Sequence, residues 1–185
     1  ISQNDPPDVM RGEETQIAGF LSENIQFEGS ICLPGTHSKW VKIKQNNLEQ
    51  FKTFMTGELF EIISKNSVLV HSVDSNEFDK IEFLKSADKI LKYPKLFGNA
   101  LFQLRADDLI NSGSAVKYKS RLSGYLLGLE LLGSLEFWEN NDIVLIGNKN
   151  LVDLYGDVLI SKVSSLKKFT SKDMILKVLK YFRKK

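Results

Sequence analysis

The chain has 185 residues, of which 42% are hydrophobic and 26% are charged, as in an ordinary globular domain. Its 25 basic and 23 acidic residues give a net charge of +2, which is too balanced to indicate a nucleic-acid-binding protein. A single cysteine excludes an intrachain disulfide and fits a reducing compartment, and no apolar run approaches the ~18 residues of a membrane span. We therefore expect a cytoplasmic protein that contacts neither nucleic acid nor membrane.

The first third of the chain mixes short apolar runs with one helical pattern. The polar N-terminal segment carries two adjacent prolines, which favour a loop. A segment whose apolar residues have helical spacing follows. After it come a short apolar run that ends at Pro34-Gly35 and two strand-like runs joined by Gln-Asn-Asn. In chain order these patterns predict a loop over 1–10, a helix over 13–21, a strand over 30–33 and a hairpin of strands over 39–44 and 48–55.

The middle of the chain has a helical pattern throughout. Thr56 is a good N-cap, and Pro94 ends a helix because proline cannot continue one. Gly124 and Gly128 lie four residues apart, which favours close packing against a neighbour over space for an adenine ring. We expect helices over 57–65, 76–93, 96–110 and 116–135, with a helical insertion in the fold over about 74–112.

The last third returns to alternating strands and helices. Asp-Ile-Val-Leu-Ile-Gly is almost wholly apolar, as in a strand that is covered on both faces. The terminal helix is basic, and we interpret those side chains as the solvated face of a docked helix. The patterns predict strands over 142–147 and 166–170 and helices over 150–161 and 171–185. Strands followed by helices predict an α/β fold, with a mixed sheet flanked by helices.

A polar turn follows the first predicted strand. It consists of Gly35, Thr36, His37, Ser38 and Lys39. A tight turn there exposes backbone N–H groups, glycine lets a phosphate approach closely, and the other side chains add donors and a positive charge. The alternative is a hairpin-entry loop whose polarity is incidental. The segment does not have the Walker A pattern.

Two other short segments could carry chemistry. In the segment 11–14, a carboxylate could take a proton from a sugar hydroxyl group, and Arg11 could clamp a phosphate or carboxylate. The alternative is a helix N-terminus whose acids complement the dipole, which does not explain the preceding Met-Arg-Gly. Gly147 and Asn148 follow the predicted buried strand, where open α/β sheets bind ligands, although composition alone favours a helix entry with Asn148 or Asn150 as its N-cap.

These segments resemble the 2-dehydro-3-deoxygalactonokinase family, which are sugar-acid kinases of the actin-like ATPase and sugar kinase superfamily. The most specific stretches are Asp-Val-Met-Arg-Gly-Glu-Glu-Thr-Gln at 8–16 and Pro-Gly-Thr-His-Ser-Lys-Trp-Val at 34–41. Further matching stretches follow in family order at 54–60, 101–106, 122–131 and 146–151. The resemblance implies the C-terminal lobe of an actin-like, ribonuclease-H-like sugar kinase fold.

The resemblance also implies a reaction, namely ATP- and Mg²⁺-dependent phosphorylation of the terminal hydroxyl group of a 2-keto-3-deoxy sugar acid such as 2-dehydro-3-deoxy-D-galactonate. The implied catalytic carboxylate is Glu13, with Glu14 as the near alternative, and the implied substrate-side groups are Asp8, Arg11 and Gly12. The implied second phosphate segment is Gly35, Thr36, His37, Ser38 and Lys39, and the implied adenosine segment is Gly147 with Asn148.

One departure from the superfamily pattern is that the first phosphate loop, with its magnesium-linked aspartate, has no counterpart in this sequence. We therefore expect residues 1–185 to be a single C-terminal lobe that is inactive or nearly so by itself. The alternative is a degenerate lobe that binds a ligand or a partner without chemistry. A lobe without its partner lobe would expose apolar surface, which favours self-association into a homo-oligomer.

Overall fold

The computed structural model describes residues 1–183, and the side chains of residues 1–180. These residues form two compact units, one made of Ile1–Phe54 with the chain from Ser134 onward, and the other of Met55–Gly133. In chain order the elements are β1 (Ser2–Asn4), β2 (Pro7–Val9), α1 (Glu13–Leu21), β3 (Gly29–Leu33), β4 (Ser38–Lys44), β5 (Asn47–Phe54), α2 (Thr56–Asn66), α3 (Lys80–Lys92), a 3₁₀ turn (Pro94–Leu96), α4 (Phe97–Asn111), α5 (Ala115–Gly133), α6 (Leu135–Trp138), β6 (Asp142–Gly147), α7 (Lys149–Leu159), β7 (Ser165–Thr170) and α8 (Ser171–Arg183).

The first unit is built on a five-stranded mixed sheet with strand order β5-β4-β3-β6-β7. β5, β4 and β3 are antiparallel neighbours, whereas β6 runs parallel to both β3 and β7. Val144 and Ile146 of the apolar strand β6 share a core with α1 and α8, and helix α7 also contacts β6. α1 and α8 approach so closely that a Cβ atom at Gly19 would lie 2.0 Å from the Met174 carbonyl oxygen. The predicted α/β fold with a mixed sheet flanked by helices is confirmed.

The second unit is helical and is organised around α5. Its core includes Leu104, Tyr118 and Leu122. α3 packs so tightly on α5 that a Cβ atom at Gly124 would lie 2.4 Å from the Phe83 carbonyl oxygen. The equivalent atom at Gly128 would lie 2.5 Å from the carbonyl oxygen of Ala87. The prediction that the two glycines serve close packing is confirmed.

The N-terminal segment differs from its prediction. Residues 1–10 do not form a loop, because β1 and β2 make an antiparallel hairpin in which Ser2 pairs with Val9. The side chain of Asp8 accepts a hydrogen bond from the backbone N–H of Thr53, at 2.7 Å. A contact over 45 residues therefore helps to order a segment whose local composition predicts a loop.

Several helix ends also differ from the predictions. α3 begins at Lys80 rather than 76, because the Asp79 side chain caps it by accepting hydrogen bonds from the N–H groups of Ile81 and Glu82, each at 3.0 Å. Thr56 is the first helical residue of α2 and not its N-cap. The predicted helix 171–185 is described as far as 183, and residues 184 and 185 lie outside the described part. Within the described residues, no helix combines the length and apolar character needed to cross a membrane.

Candidate active site

A pocket of about 320 Å³ lies at the carboxyl edge of the parallel strands β3, β6 and β7. This edge is where open α/β sheets bind their ligands. Four separate segments build it, namely the start of α1, the β3–β4 turn, the β6–α7 junction and the start of α8. The residues that line it are Glu13, Gln16, Leu33, Pro34, Gly35, Thr36, His37, Ile146, Gly147, Asn148 and Ser171.

Three helices begin at or next to the pocket. α1, α7 and α8 begin at Glu13, Lys149 and Ser171, and either these residues or their neighbours line the pocket. The first N–H groups of a helix have no partner inside the helix, and the helix dipole is positive at this end. Asn148 satisfies one such group, because its side chain accepts a hydrogen bond from the N–H of Asn150 at 2.9 Å. This edge of the sheet is therefore suited to an anionic ligand.

The two predicted acids have different positions at the start of α1. Glu13 Oε2 accepts a hydrogen bond from the Arg11 N–H at 3.1 Å, and Glu14 Oε2 accepts one from the Gly12 N–H at 2.6 Å. The positive φ of Gly12, 105°, allows the sharp turn before the helix. Glu13 lines the pocket, whereas Glu14, Arg11 and Gly12 are not among the lining residues. The geometry thus favours Glu13 over Glu14 as the group that meets a ligand.

The β3–β4 turn forms one wall of the pocket. A Cβ atom at Gly35 would meet nothing within 4 Å, so this backbone is open to a ligand. Thr36 and His37 have exposed side chains next to it. The opposite wall is tight, because a Cβ atom at Gly147 would lie 3.3 Å from the Pro34 carbonyl oxygen. A side chain at position 147 would therefore press on the turn at Pro34.

Ser38 and Lys39 do not belong to the pocket, which corrects the expectation that their side chains face a phosphate. The Ser38 hydroxyl is fully buried and lies 2.9 Å from the Tyr155 hydroxyl. Lys39 is only 5% exposed, and its Nζ donates to the Val9 carbonyl oxygen at 2.9 Å and to Thr53 Oγ1 at 2.7 Å. Both side chains therefore act inside the fold.

Asp8 completes the network around Lys39. Thr53 donates to the Asp8 carboxylate from its hydroxyl at 2.6 Å as well as from its backbone N–H. These bonds fasten β2 to β4 and β5, immediately before the segment that leads to Glu13. The network makes Asp8 a residue that positions the start of α1, and nothing in the lining of the pocket places it against a ligand.

Gln16 is a lining residue that the sequence patterns did not single out. It lies one helical turn beyond Glu13, and its Oε1 is buried without a hydrogen-bond donor among the described residues. Leaving a buried acceptor unpaired costs about 1–3 kcal/mol, which a ligand hydroxyl or N–H group would recover. The spacing of three residues from Glu13 on a helix was the signal that could have identified it.

The lysine that follows Asn148 is engaged elsewhere. Lys149 Nζ lies 2.9 Å from Asp153 Oδ2, and Lys168 Nζ lies 3.1 Å from Oδ1 of the same residue. The hydrogen bond from Lys149, followed by that from Lys168, lowers the pKa of Asp153.

Among the residues that the structure describes, no group of three or more His, Cys, Asp or Glu side chains could hold a metal ion.

Comparisons with known proteins find similar chains in one kinase family. A family model described as 2-keto-3-deoxy-galactonokinase matches residues 1–180. A Rhizobium meliloti (strain 1021) protein assigned as a 2-dehydro-3-deoxygalactonokinase is 39% identical over 160 residues, which cover 84% of this chain and 52% of that protein. The 2-dehydro-3-deoxygalactonokinase of Escherichia coli (strain K12) is 28% identical over 156 residues, which again cover 84% of this chain and 52% of that protein.

A solved structure is similar to this chain as well. The crystal structure of a protein from Sinorhizobium meliloti, assigned as a 2-dehydro-3-deoxygalactonokinase, has a TM-score of 0.87 and 35% sequence identity. The match covers 95% of this chain and 60% of that chain. The chain spans about half the length of the curated relatives it matches.

Proposed function

Since this chain belongs to the 2-keto-3-deoxy-galactonokinase family, as its sequence predicted, we propose that it forms the C-terminal lobe of a kinase for a 2-keto-3-deoxy sugar acid. The kinase transfers the γ-phosphoryl group of ATP to the terminal hydroxyl group, with 2-dehydro-3-deoxy-D-galactonate as the substrate. The observation that carries the proposal is the pocket, which brings Glu13 together with the Gly35 turn and with Gly147. These residues lie up to 134 positions apart in the sequence, at residues 13 and 147.

Glu13 is the proposed general base. Its carboxylate takes the proton of the substrate hydroxyl group while the hydroxyl oxygen forms a bond to the γ-phosphorus. The bond from that phosphorus to the bridging oxygen breaks, and ADP leaves. The hydrogen bond from the Arg11 N–H holds one carboxylate oxygen of Glu13 and orients the group. A general base must lie within hydrogen-bond distance of the proton that it takes. The position of Glu13 on the pocket wall allows this for a bound substrate hydroxyl group.

The phosphates of ATP are proposed to lie against the open turn at Gly35, Thr36 and His37, near the N-termini of α7 and α8. Gly147 and Asn148 would then border the adenosine. Ser38 and Lys39 are left out of this set because their side chains bond inside the fold. Phosphoryl transfer depends mainly on such positioning and on electrostatic stabilisation.

Mg²⁺ fits this site as a companion of ATP. Mg²⁺ is usually held by one or two carboxylates together with substrate phosphates and water. Among the lining residues that the structure describes, the one carboxylate is that of Glu13, which is the proposed base, so phosphates and water would provide the ligands of the ion. When bound, the ion neutralises charge on the transferring phosphoryl group. We assign no residue of this chain as a dedicated metal ligand.

Turnover of sugar acid tests the proposal. The assay measures ADP release from 2-dehydro-3-deoxygalactonate, ATP and Mg²⁺ by a full-length kinase that carries this chain, at a rate within ~1–100 s⁻¹. We expect the 185-residue chain alone to turn over far more slowly, because it spans about half of its relatives and catalysis needs groups on several sides. If no 2-keto-3-deoxy acid is phosphorylated while nucleotide still binds, the chain is a binding lobe without chemistry.

Gln16→Met should separate ligand binding from folding. Methionine fills a similar volume without an unpaired acceptor, so the free energy of unfolding should stay the same or rise by about 1 kcal/mol. The KM for the sugar acid should rise about tenfold, as loss of one hydrogen bond predicts. Urea unfolding and initial-rate kinetics measure the two effects. Gln103→Met in the helical unit is the matched control, and an unchanged KM for Gln16→Met would rule out the proposed contact.

A further inference from the structure

A cavity of about 510 Å³ lies within the helical unit and is lined by residues of α3, α4 and α5. Volumes of ~300–1,000 Å³ are typical of small-molecule sites, which combine apolar walls with a few fixed polar groups. α4 supplies the apolar wall, where Leu104 is 2% exposed and Ile110 is 79% exposed. Ile110 therefore offers apolar area at the cavity that a ligand would cover.

Arg121 is held in a fixed position on the α5 side of the cavity. Its Nε donates to Glu82 Oε2 at 2.6 Å, and its Nη1 lies 3.8 Å from Asp107 Oδ2. Asp107 is itself held, because it accepts hydrogen bonds from the Tyr118 hydroxyl at 2.8 Å and from Asn111 Nδ2 at 2.7 Å. A guanidinium group carries five N–H donors, and neither contact of Arg121 uses Nη2. The two carboxylates therefore orient Arg121 and leave it donors for a further acceptor.

Two lysines give the cavity an excess of positive charge. Lys85 and Lys89 lie one helical turn apart on α3, and both line the cavity. Lys89 Nζ lies 5.8 Å from the centre of the ring of Tyr125, and Lys85 Nζ lies 4.0 Å from Glu82 Oε1. The lining holds three cationic side chains and two carboxylates, which is a net charge of +1. This balance favours a ligand that carries one negative charge.

We propose that the cavity binds a small organic monoanion, namely a carboxylate on an aliphatic chain. The carboxylate accepts hydrogen bonds from Arg121, Lys85 and Lys89, and the chain covers the apolar wall of α4. Hydrogen bonds between two charged groups are about twice as strong as neutral ones. A nucleotide is a poor ligand here, because its several negative charges would be repelled by the two carboxylates of the lining.

Hexanoate, hexanamide and hexylammonium test the proposal, because they share one aliphatic chain and differ in charge. Each is titrated into the ¹⁵N-labelled 185-residue chain, and the backbone amide signals are followed. We expect hexanoate to bind with a Kd of about 1–10 mM, since the probe is small, and to shift the amides of 82–89 and 103–111 first. Hexanamide should bind at least about tenfold more weakly, and hexylammonium should not bind.

Two variants of the lining test the assignment. Lys85→Gln together with Lys89→Gln should weaken hexanoate binding at least about tenfold, because both ammonium groups are lost. Ala106→Leu should weaken it as well, because the larger side chain fills part of the cavity. Lys95→Gln is the matched control, since Lys95 is exposed in the 3₁₀ turn of the same unit and is not among the described lining residues.

Circular dichroism confirms that the variants fold. Equal affinity for hexanoate and hexanamide would overturn the proposal, because the cavity would then not select an anion. An absence of shifts in the helical unit at ~50 mM hexanoate would overturn it too, and so would either lining variant that binds like wild type. The titration contains neither sugar acid nor nucleotide, so the proposal can fail or succeed independently of the proposed kinase reaction.

Discussion

Glu13→Gln should lower the kcat of a full-length kinase that carries this chain by about 10²–10⁴-fold, the usual contribution of a general base. The amide keeps the size of the side chain but cannot take the proton of the substrate hydroxyl group. Because the amide fills the same space on the pocket wall, binding of ATP should change much less than kcat. The measurement is ADP release with saturating sugar acid, together with the KM for ATP.

Glu14→Gln is the matched control for this prediction. Its carboxylate accepts the Gly12 N–H at 2.6 Å and is not among the lining residues of the pocket. An amide oxygen can still accept that hydrogen bond, so we expect less than about a tenfold loss of kcat. A large loss in Glu14→Gln with a small loss in Glu13→Gln would make Glu14 the base. Small losses in both variants would contradict a carboxylate base at the start of α1.

Gly124→Val should destabilise the helical unit by about 3 kcal/mol, the upper end of the about 1–3 kcal/mol that overpacking of a tight contact usually costs. The first carbon of any side chain at this position would lie 2.4 Å from the Phe83 carbonyl oxygen and 2.8 Å from Ser86 Cβ. Neither the backbone of α3 nor that of α5 can yield without separating the helices. The free energy of unfolding, measured in urea, reports the loss.

Gly98→Ala is the control, because its new Cβ atom enters open space. Alanine has the higher helix propensity, so this variant should be as stable as wild type or more stable by about 0.5–1 kcal/mol. If both variants unfold at the same urea concentration, the close approach of α3 to α5 does not hold.

The strongest sequence patterns predicted their elements to the residue. Helix 13–21 and strand 142–147 have the predicted bounds, because an abrupt change of pattern marks both ends of each. The hairpin at residues 1–10 could not be predicted, since it is held by tertiary bonds such as Asp8 to Thr53, which local composition does not show. The start of α3 was missed because a cap at Asp79 overrides the apolar spacing that begins before it.

Part of the candidate site was predictable for similar reasons. Glu13, Gly35 and Gly147 stand at junctions of elements, and the topology of a parallel sheet brings such junctions to one edge. The side chains of Ser38 and Lys39 were assigned to the wrong environment, because their partners Tyr155 and Thr53 are distant in sequence. The spacing of Gln16 from Glu13 could have placed it beside the site, but the burial of its unpaired oxygen is visible only in three dimensions.

Nucleotide binding by this chain tests the central proposal, that the pocket at the carboxyl edge of the sheet holds the phosphates. The measurement is a titration of the ¹⁵N-labelled chain with ADP, for wild type and for Gly35→Val. We predict that the amide signals of Gly35, Thr36, His37 and Gly147 shift first, and that the variant binds at least about tenfold more weakly because its side chain occupies the open turn. Its free energy of unfolding should match that of wild type. Shifts confined to the helical unit, or equal affinity in the two proteins, would contradict the account.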